Sequence, residues 1–141
     1  MANDGSDFAR SMSIATSGLR AQAGRMRVIA ENIANAESTA QTAGGEPYRR
    51  KVPTFSSALD RSLDAKTVAL GKVRPDQSAF RVKHEPGNPA ADASGNVKYP
   101  NVNPLVEMTD MREAQRSYEA NLNIISATRR MIQRTLDILK A

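Results

Sequence analysis

Apolar residues recur in alternating steps of three and four along a stretch near each end of the chain. The N-terminal row consists of Phe8, Met12, Ala15, Leu19, Gln22, Met26, Ile29, Ile33 and Ala36, with Gln22 its only polar member. The C-terminal row consists of Met108, Met111, Gln115, Tyr118, Leu122, Ile125, Arg129, Ile132, Leu136 and Leu139, interrupted only at Gln115 and Arg129. This spacing is that of a heptad repeat, so it predicts two long helices that pack as coiled-coil segments. A heptad face of this length needs a partner surface, which indicates a protein completed by neighbouring copies or other subunits.

A second apolar row accompanies the first in the C-terminal stretch. It consists of Ile124, Ala127, Met131 and Ile138. Together the two rows are too wide for one partner helix, so more than one neighbour is expected to contact this helix. The residues predicted to form the assembly seam are Met12, Leu19, Met26, Ile29, Ile33, Met108, Met111, Tyr118, Leu122, Ile125, Ile132, Leu136 and Leu139.

Turn-forming residues and short β patterns separate the two helical stretches. The pattern predicts strands near Tyr48 to Phe55, Val68 to Val73, Phe80 to Val82 and Val97 to Tyr99. Ala58 to Ala65 also permits a helical turn. Asn103-Pro104 is a typical helix start, because Asn supplies a capping oxygen and Pro tolerates the first turn. The predicted fold is therefore mainly α, with a small β-hairpin-like insertion in residues 39–102 between helical segments 1–38 and 103–141.

The N-terminal helix is regular in pattern but poor in helix propensity. Gly18 and Gly24 each cost about 1 kcal/mol relative to Ala in a helix interior. Such a helix gains its stability from packing, so we expect it to become ordered against a partner surface. The two glycines could also admit the close approach of a neighbouring backbone.

Composition excludes several kinds of protein and site. The chain of 141 residues has no cysteine, which excludes disulfides, thiolate metal sites and cysteine nucleophiles. Met1 to Asp7 lacks the basic and apolar pattern of a cleaved secretory signal. No apolar run approaches the roughly 18 residues of a membrane span.

The formal net charge of +5 and the pI near 9.9 leave two alternative functions open. Basic residues cluster at Arg49–Lys51 and at Arg129–Arg134, as in a basic coiled-coil nucleic-acid-binding protein. Acidic residues share the C-terminal helix, so solvated surface charge explains the distribution better. An amphipathic helix that lies on a membrane surface is the other alternative.

No constellation of residues points to catalysis. The single histidine, His84, stands beside Glu85, but a metal site normally needs three or four ligands at defined spacing. Phosphate-binding loops, nucleophile elbows and HExxH patterns do not occur. The sequence therefore predicts a protein that is not an enzyme and that has no cofactor and no metal.

Several motifs resemble a known family. Ser17–Gln22, Arg25-Met26 and Val28–Ala36 closely resemble the N-terminal signature of bacterial flagellar rod and hook proteins. Pro47–Lys51, Pro100–Pro104, Glu107-Met108 and Ser117–Asn121 narrow the resemblance to the proximal rod members of that family. The motif residues singled out by this resemblance are Asn32, Asn35, Tyr48, Asn101, Asn103, Glu119 and Asn121.

The resemblance implies a structural subunit of the flagellar basal-body rod that transmits torque across the periplasm. It implies export by the flagellar type III apparatus without signal cleavage, and contacts with copies of the chain, other rod subunits and basal-body proteins. It also implies terminal regions that are mobile in the free subunit and form a helical coiled coil in the rod. Neither nucleic acid nor a membrane span is expected.

Overall fold

The computed structural model describes residues 4 to 140. Helix α1 spans Asp4–Ala34 and helix α2 spans Pro104–Lys140. The strands between them are β1 Lys51–Val52, β2 Phe55–Asp60, β3 Ala65–Leu70, β4 Arg74–Pro75, β5 Arg81–His84 and β6 Asn96–Tyr99. The predicted order of helix, β-rich segment and helix is confirmed. Residues 1–3 and 141 of the predicted terminal segments, and with them part of the Met1 to Asp7 stretch, lie outside the described residues.

The strands form three antiparallel pairs. β2 and β3 form a hairpin whose register runs from Phe55 opposite Leu70 to Asp60 opposite Ala65. β5 pairs with β6, and the short β1 pairs with β4. Ala58 to Ala65 is therefore the end of one strand, a turn and the start of the next, and not a helical turn. Asp64 has a φ of 46° in this turn, a conformation that a short polar residue tolerates.

The chain divides into two compact units. The first unit comprises Met1–Met26, Thr54–Lys72 and Glu113–Ala141, and the second comprises Arg27–Pro53 and Val73–Arg112. Each helix contributes a part to each unit, and the β2–β3 hairpin belongs to the first unit.

A small core stabilises the second unit. Val97 is fully buried and packs with Ala90 and Tyr99, with Ala40 and Ala91 half-buried against them. Gly95 turns the chain before β6 with a φ of +77°, which only glycine adopts without strain. These contacts place β6 directly before the start of α2.

The first unit is packed mainly through small side chains. Ala15, Ala21, Ala65 and Ala114 are its buried alanines. A Cβ added to Gly18 would lie 2.7 Å from Asn121 Nδ2, so the two helices approach closely at this point. A Cβ added to Gly24 would lie 2.7 Å from Leu70 Cδ2, so the hairpin packs into a second notch on α1. Both glycines thus make room for side chains of the same unit. The close approach of a neighbouring backbone at these glycines stays a prediction.

Candidate assembly site

A buried asparagine near the end of α1 is the centre of a polar network in the second unit. The Asn32 side chain is 1% exposed. Its Oδ1 accepts hydrogen bonds from the Tyr48 hydroxyl at 2.8 Å and the Lys51 backbone N–H at 2.9 Å. Its Nδ2 donates to the Lys51 carbonyl at 2.8 Å and to Glu107 Oε2 at 3.1 Å. Every hydrogen-bonding position of this amide is used, so α1, the 48–51 segment and α2 are held in one arrangement.

Glu107 and Arg50 add a charged pair to this network. Glu107 is 1% exposed, and its Oε1 accepts a hydrogen bond from Arg50 Nε at 2.6 Å. Arg50 also lies 3.4 Å from Asp76 and 3.8 Å from Asp110. Burial works against the Arg50 charge, but the hydrogen bond and charge of Glu107, followed by those of Asp76, raise the pKa of Arg50. A buried carboxylate in a helix is tolerated because its partner and a second hydrogen bond are both present.

Asn101 holds the other side of the 48–51 segment. Its Oδ1 accepts the Arg50 backbone N–H at 2.8 Å, and its Nδ2 donates to the Asp76 carbonyl at 3.1 Å and to Ser78 Oγ at 2.9 Å. The backbone N–H of Ser78 bonds to the Asp76 carboxylate at 2.9 Å. That bond, then the Ser78 hydroxyl and Arg50, lower the pKa of Asp76 against the opposing effect of desolvation. We call Asn32, Tyr48, Arg50, Asp76, Asn101 and Glu107 the polar network.

Tyr48 completes the network next to an ion pair. Burial, followed by the charges of Glu31 and Glu107, raises the pKa of the Tyr48 phenol to about 12. Glu31 forms an ion pair with Lys51 Nζ. The neutral phenol therefore stays a hydrogen-bond donor to Asn32 at any physiological pH.

Two other motif asparagines lie at helix ends, one at the start of α2 and one after the end of α1. Asn103 Oδ1 accepts the Leu105 backbone N–H at 3.1 Å, which confirms the predicted cap of α2. Asn35 Nδ2 donates to the Glu31 carbonyl at 2.9 Å just beyond the end of α1. The Asn103 side chain thus bonds a backbone N–H that the helix start leaves free. The Asn35 side chain adds a second hydrogen bond to the Glu31 carbonyl, which also accepts the Asn35 backbone N–H at 3.1 Å.

The remaining motif residues lie in the first unit. Asn121 fills the space above Gly18, and its Nδ2 donates to the Ser117 carbonyl at 2.9 Å. Arg25 lies 3.4 Å from Glu113, whose side chain is 67% exposed. As α1 advances from Gly18 to Arg25, its partners move back along α2 from Asn121 to Glu113, so the helices of this unit are antiparallel. Glu119 is exposed, and no salt bridge joins it to another residue between 4 and 140.

The face that α2 buries within the chain is displaced from the predicted row. Its buried or half-buried residues include Glu107, Met111, Ala114, Tyr118, Asn121, Ile125, Thr128 and Ile132, again in steps of four and three. Met111, Tyr118, Ile125 and Ile132 are common to both rows. The other members lie one residue earlier than predicted, because small or hydrogen-bonded side chains occupy the places nearest to α1. The displaced apolar residues are exposed, with Met108 50%, Leu122 46%, Leu136 45% and Leu139 77% accessible.

α1 shows the same displacement. Ile29 is buried, as are Ala15 and Ala36 from the same predicted row. Met12, Leu19, Met26 and Ile33 are half-buried, and the fully buried positions beside Leu19 and Ile33 are Gly18 and Asn32. The contacts of these residues with other subunits stay a prediction.

The sequence analysis did not predict which residues bind one another in the polar network. It treated Arg49–Lys51 as a solvated basic cluster, whereas Arg50 is bound by carboxylates and Arg49 lies over the Phe80 ring at 4.1 Å. One available signal was Glu107, which stands immediately before the apolar row of α2. A charged residue in the first turn of a helix is also favourable to the helix dipole on the surface, so its position alone does not indicate burial.

Potential metal ligands are not clustered among the described residues. Between residues 4 and 140 there is no group of three or more His, Asp or Glu side chains placed to hold a metal ion. His84 is exposed, with its Nδ1 3.3 Å from Asn96 Oδ1. Within the same range, neither helix is long and apolar enough to cross a membrane.

Comparisons with known proteins match both helical regions and nearly the whole chain. The family described as "Flagella basal body rod protein" matches residues 12–40, and "Flagellar basal body rod FlgEFG protein C-terminal" matches residues 93–138. The flagellar basal-body rod protein FlgC of Agrobacterium fabrum is 53% identical over 91% of this chain and 92% of its own length. The chain belongs to the FlgC family of flagellar basal-body rod proteins.

More distant relatives also match over most of their length. FlgC of Bacillus subtilis is 38% identical over 92% of this chain and 97% of its own length. FlgC of Salmonella typhimurium is 38% identical over 89% of this chain and 92% of its own length. The resemblance noted in the sequence is thereby confirmed, and these FlgC relatives give no support to the nucleic-acid-binding alternative.

The two family matches include most of the motif residues. The N-terminal match contains Asn32, and the C-terminal match contains Asn101 and Glu107. Tyr48 and Arg50 lie between the two matches and join them through the polar network. In this FlgC-family chain the network therefore connects the two matched regions within the second unit.

Proposed function

We propose that the chain is a structural subunit of the proximal rod of the bacterial flagellar basal body and transmits torque for motility. It assembles through its terminal helices with copies of itself, other rod subunits and basal-body proteins. Membership of a rod-protein family supports this function. The subunit acts as a structural component and not as an enzyme.

The observation that carries this proposal is the exposed apolar surface of α2. Leu122, Ile124, Met131, Leu136 and Ile138 are between 45% and 76% exposed. By the helical repeat they form two strips that flank the packed face, one with Leu122 and Leu136 and the other with Ile124, Met131 and Ile138. Exposed apolar strips of this kind are typical of an interaction surface. In the rod, neighbouring helices cover them, and the terminal segments 1–38 and 103–141 form the coiled-coil assembly domain around the insertion of residues 39–102.

Export of the subunit is part of the same proposal. The flagellar type III apparatus carries the chain, without signal cleavage, to the part of the basal body that lies in the periplasmic space. The absence of cysteine supports passage through a narrow channel, because no disulfide can lock the fold beforehand. Deletion of residues 1–25 should leave the chain in the cytoplasm, which fractionation of the cells would show.

One substitution tests the assembly surface directly. Leu122→Asp places a charge on the strip that contains Leu122 and Leu136. We therefore expect an unchanged free energy of unfolding for the free chain, but loss of motility and of intact rods. Asn123→Asp is the matched control, because it introduces the same residue at the next exposed position. Electron microscopy of purified basal bodies, with and without the chain, gives the readout. Intact rods with Leu122→Asp would contradict the assigned surface, and intact rods without the chain would contradict the function.

A further inference from the structure

The β2–β3 hairpin of the first unit has one covered edge and one open edge. The Val68 backbone N–H donates to Ser17 Oγ of α1 at 3.2 Å, and Leu70 packs against Gly24. β3 therefore lies beside α1. In the part of the chain that the structure describes, β3 is the only strand that pairs with β2. The second edge of β2 is left without a strand.

The register shows which backbone groups point out from this edge. Val68 donates its backbone N–H to Ser17 and not to β2. Ser57, which lies opposite Val68, therefore belongs to a non-hydrogen-bonded pair, and its N–H and C=O point out from the open edge of β2. The bond from the Gly71 N–H to the Thr54 carbonyl, at 2.6 Å, agrees with this alternation. Phe55, Ser57 and Leu59 thus present their backbone groups at the open edge. Among residues 4 to 140, no strand pairs with them.

This edge lacks the features that normally prevent strand addition. Phe55 to Leu59 contains no charge and no proline, and Phe55 and Leu59 are 44% and 57% exposed. Open edges in native proteins are usually protected by charged residues, prolines or bulges. β5 shows such protection, since Arg81 and Lys83 alternate along it. The unprotected strand is therefore a surface that fits another strand.

We propose that the open edge of β2 pairs with the same edge of a second copy, antiparallel and centred on Ser57. In this register Phe55 lies opposite Leu59 of the second copy, and Ser57 lies opposite its own counterpart. The three outward-facing residues then form about six main-chain hydrogen bonds with the second copy. Phe55 and Leu59 share one face of the strand, so each apolar side chain meets an apolar partner.

This contact goes beyond the rod function and concerns the unassembled chain. A two-fold pair is closed, whereas subunits that repeat along a tube need head-to-tail contacts. Pairing therefore covers the edge until a subunit enters the rod. The interface is smaller than the roughly 1,200 Å² of stable complexes, so the pair is weak and forms at high protein concentration.

Cysteine cross-linking tests the register, because the natural chain contains no cysteine. Opposed residues of a hydrogen-bonded pair have Cα atoms about 5.5 Å apart, which a disulfide can bridge. Under mild oxidation, Ser57→Cys should give several-fold more disulfide-linked dimer than Ser56→Cys on the opposite face or Ser62→Cys in the turn. Equal yields from the three variants, or no dimer from any of them, would overturn the proposal.

A charge at the centre of the pair gives an independent test. Ser57→Lys opposes two like charges and should weaken self-association of the full chain by up to about five-fold in sedimentation equilibrium. Ser56→Lys adds the same charge to the same strand without opposing it to itself, so its association should match that of the natural chain. A natural chain that stays monomeric at all concentrations, or equal weakening by both variants, would contradict the pairing.

Discussion

The second unit contains several of the largest fully buried side chains, namely Glu107, Asn32, Val97 and Val102. The buried apolar residues of the first unit are mostly alanines, with Ile125 the largest at 9% exposed. The second unit thus combines an apolar core with a polar network whose members bind one another. The first unit brings its helices together over glycine and alanine and leaves larger apolar side chains outside.

The two units are therefore stabilised in different ways. Because the hydrogen-bonding groups of Asn32 are satisfied within the chain, the second unit fixes its own geometry. The first unit exposes Leu122, Leu136 and Leu139, and burial of their remaining surface would contribute roughly 1 to 2 kcal/mol each. We infer that the first unit reaches its full stability only when neighbours cover these residues.

The largest expected effect comes from removal of the buried carboxylate. Glu107→Ala leaves the partly buried Arg50 without its main partner and Asn32 without one acceptor, so it should lower the free energy of unfolding by about 3 kcal/mol. Glu113→Ala is the matched control on the same helix, because its ion pair with Arg25 is mostly exposed and should contribute less than about 1 kcal/mol. Urea unfolding measures both. Equal losses would show that the two units do not differ in this respect.

Much of the fold could be predicted from the sequence, because local patterns determine it. The three-four spacing identified both helices, and Asn103-Pro104 marked the start of α2 correctly. The turn residues correctly indicated a β insertion. The pairing of β1 with β4 was not predicted, because two-residue strands carry no periodic signal.

The polar network could not be predicted, for a physical reason. Arg50, Asp76, Asn101 and Glu107 are far apart in the chain, and each residue alone is typical of a solvated surface. At some positions of each helix the more buried residue lies one place before the predicted one, because heptad analysis favours large apolar side chains. At Gly18 and Asn32, close approach and hydrogen bonding determined the packing instead.

Hydrogen exchange on the free subunit should reveal the difference between the units directly. Amides around Val97 and Val102 are expected to exchange at least about ten-fold more slowly than those around Leu19 and Leu122, a difference of about 1.4 kcal/mol. The reason is that the first unit opens locally at lower cost when no neighbour covers it. Strong protection around Leu19 and Leu122 in dilute protein would contradict this expectation.

Filling the notch on α1 should have a smaller effect. Gly18→Ala adds a Cβ within 2.9 Å of three atoms of the Asn121 side chain, so we expect a net loss of about 1 kcal/mol despite the better helix propensity of Ala. Adding Asn121→Ala removes the clash and should restore the stability of the natural chain or exceed it. Thermal unfolding of the single and double variants measures this. A stabilised Gly18→Ala variant would show that the Asn121 side chain can move aside at no cost.

The smallest expected effect concerns the phenol of Tyr48. Tyr48→Phe removes one hydrogen bond to Asn32 but leaves the Lys51 N–H on the same oxygen, so it should cost about 0.5 to 1 kcal/mol at neutral pH.

The pH dependence of this loss identifies its cause. The pKa of Tyr48 is raised from its ordinary value of about 10 to about 12, so folding favours the neutral phenol. Its contribution is fully present below pH 10 and is lost as the pH rises from about 10 through about 12. The stability difference between the natural chain and Tyr48→Phe should therefore shrink across this range, because the variant has no phenol to ionise. Lysine titrates over the same range in both proteins, so only the difference between them is informative. A difference that stays constant from pH 9 to 12 would show that the phenol does not ionise with a raised pKa in the folded chain.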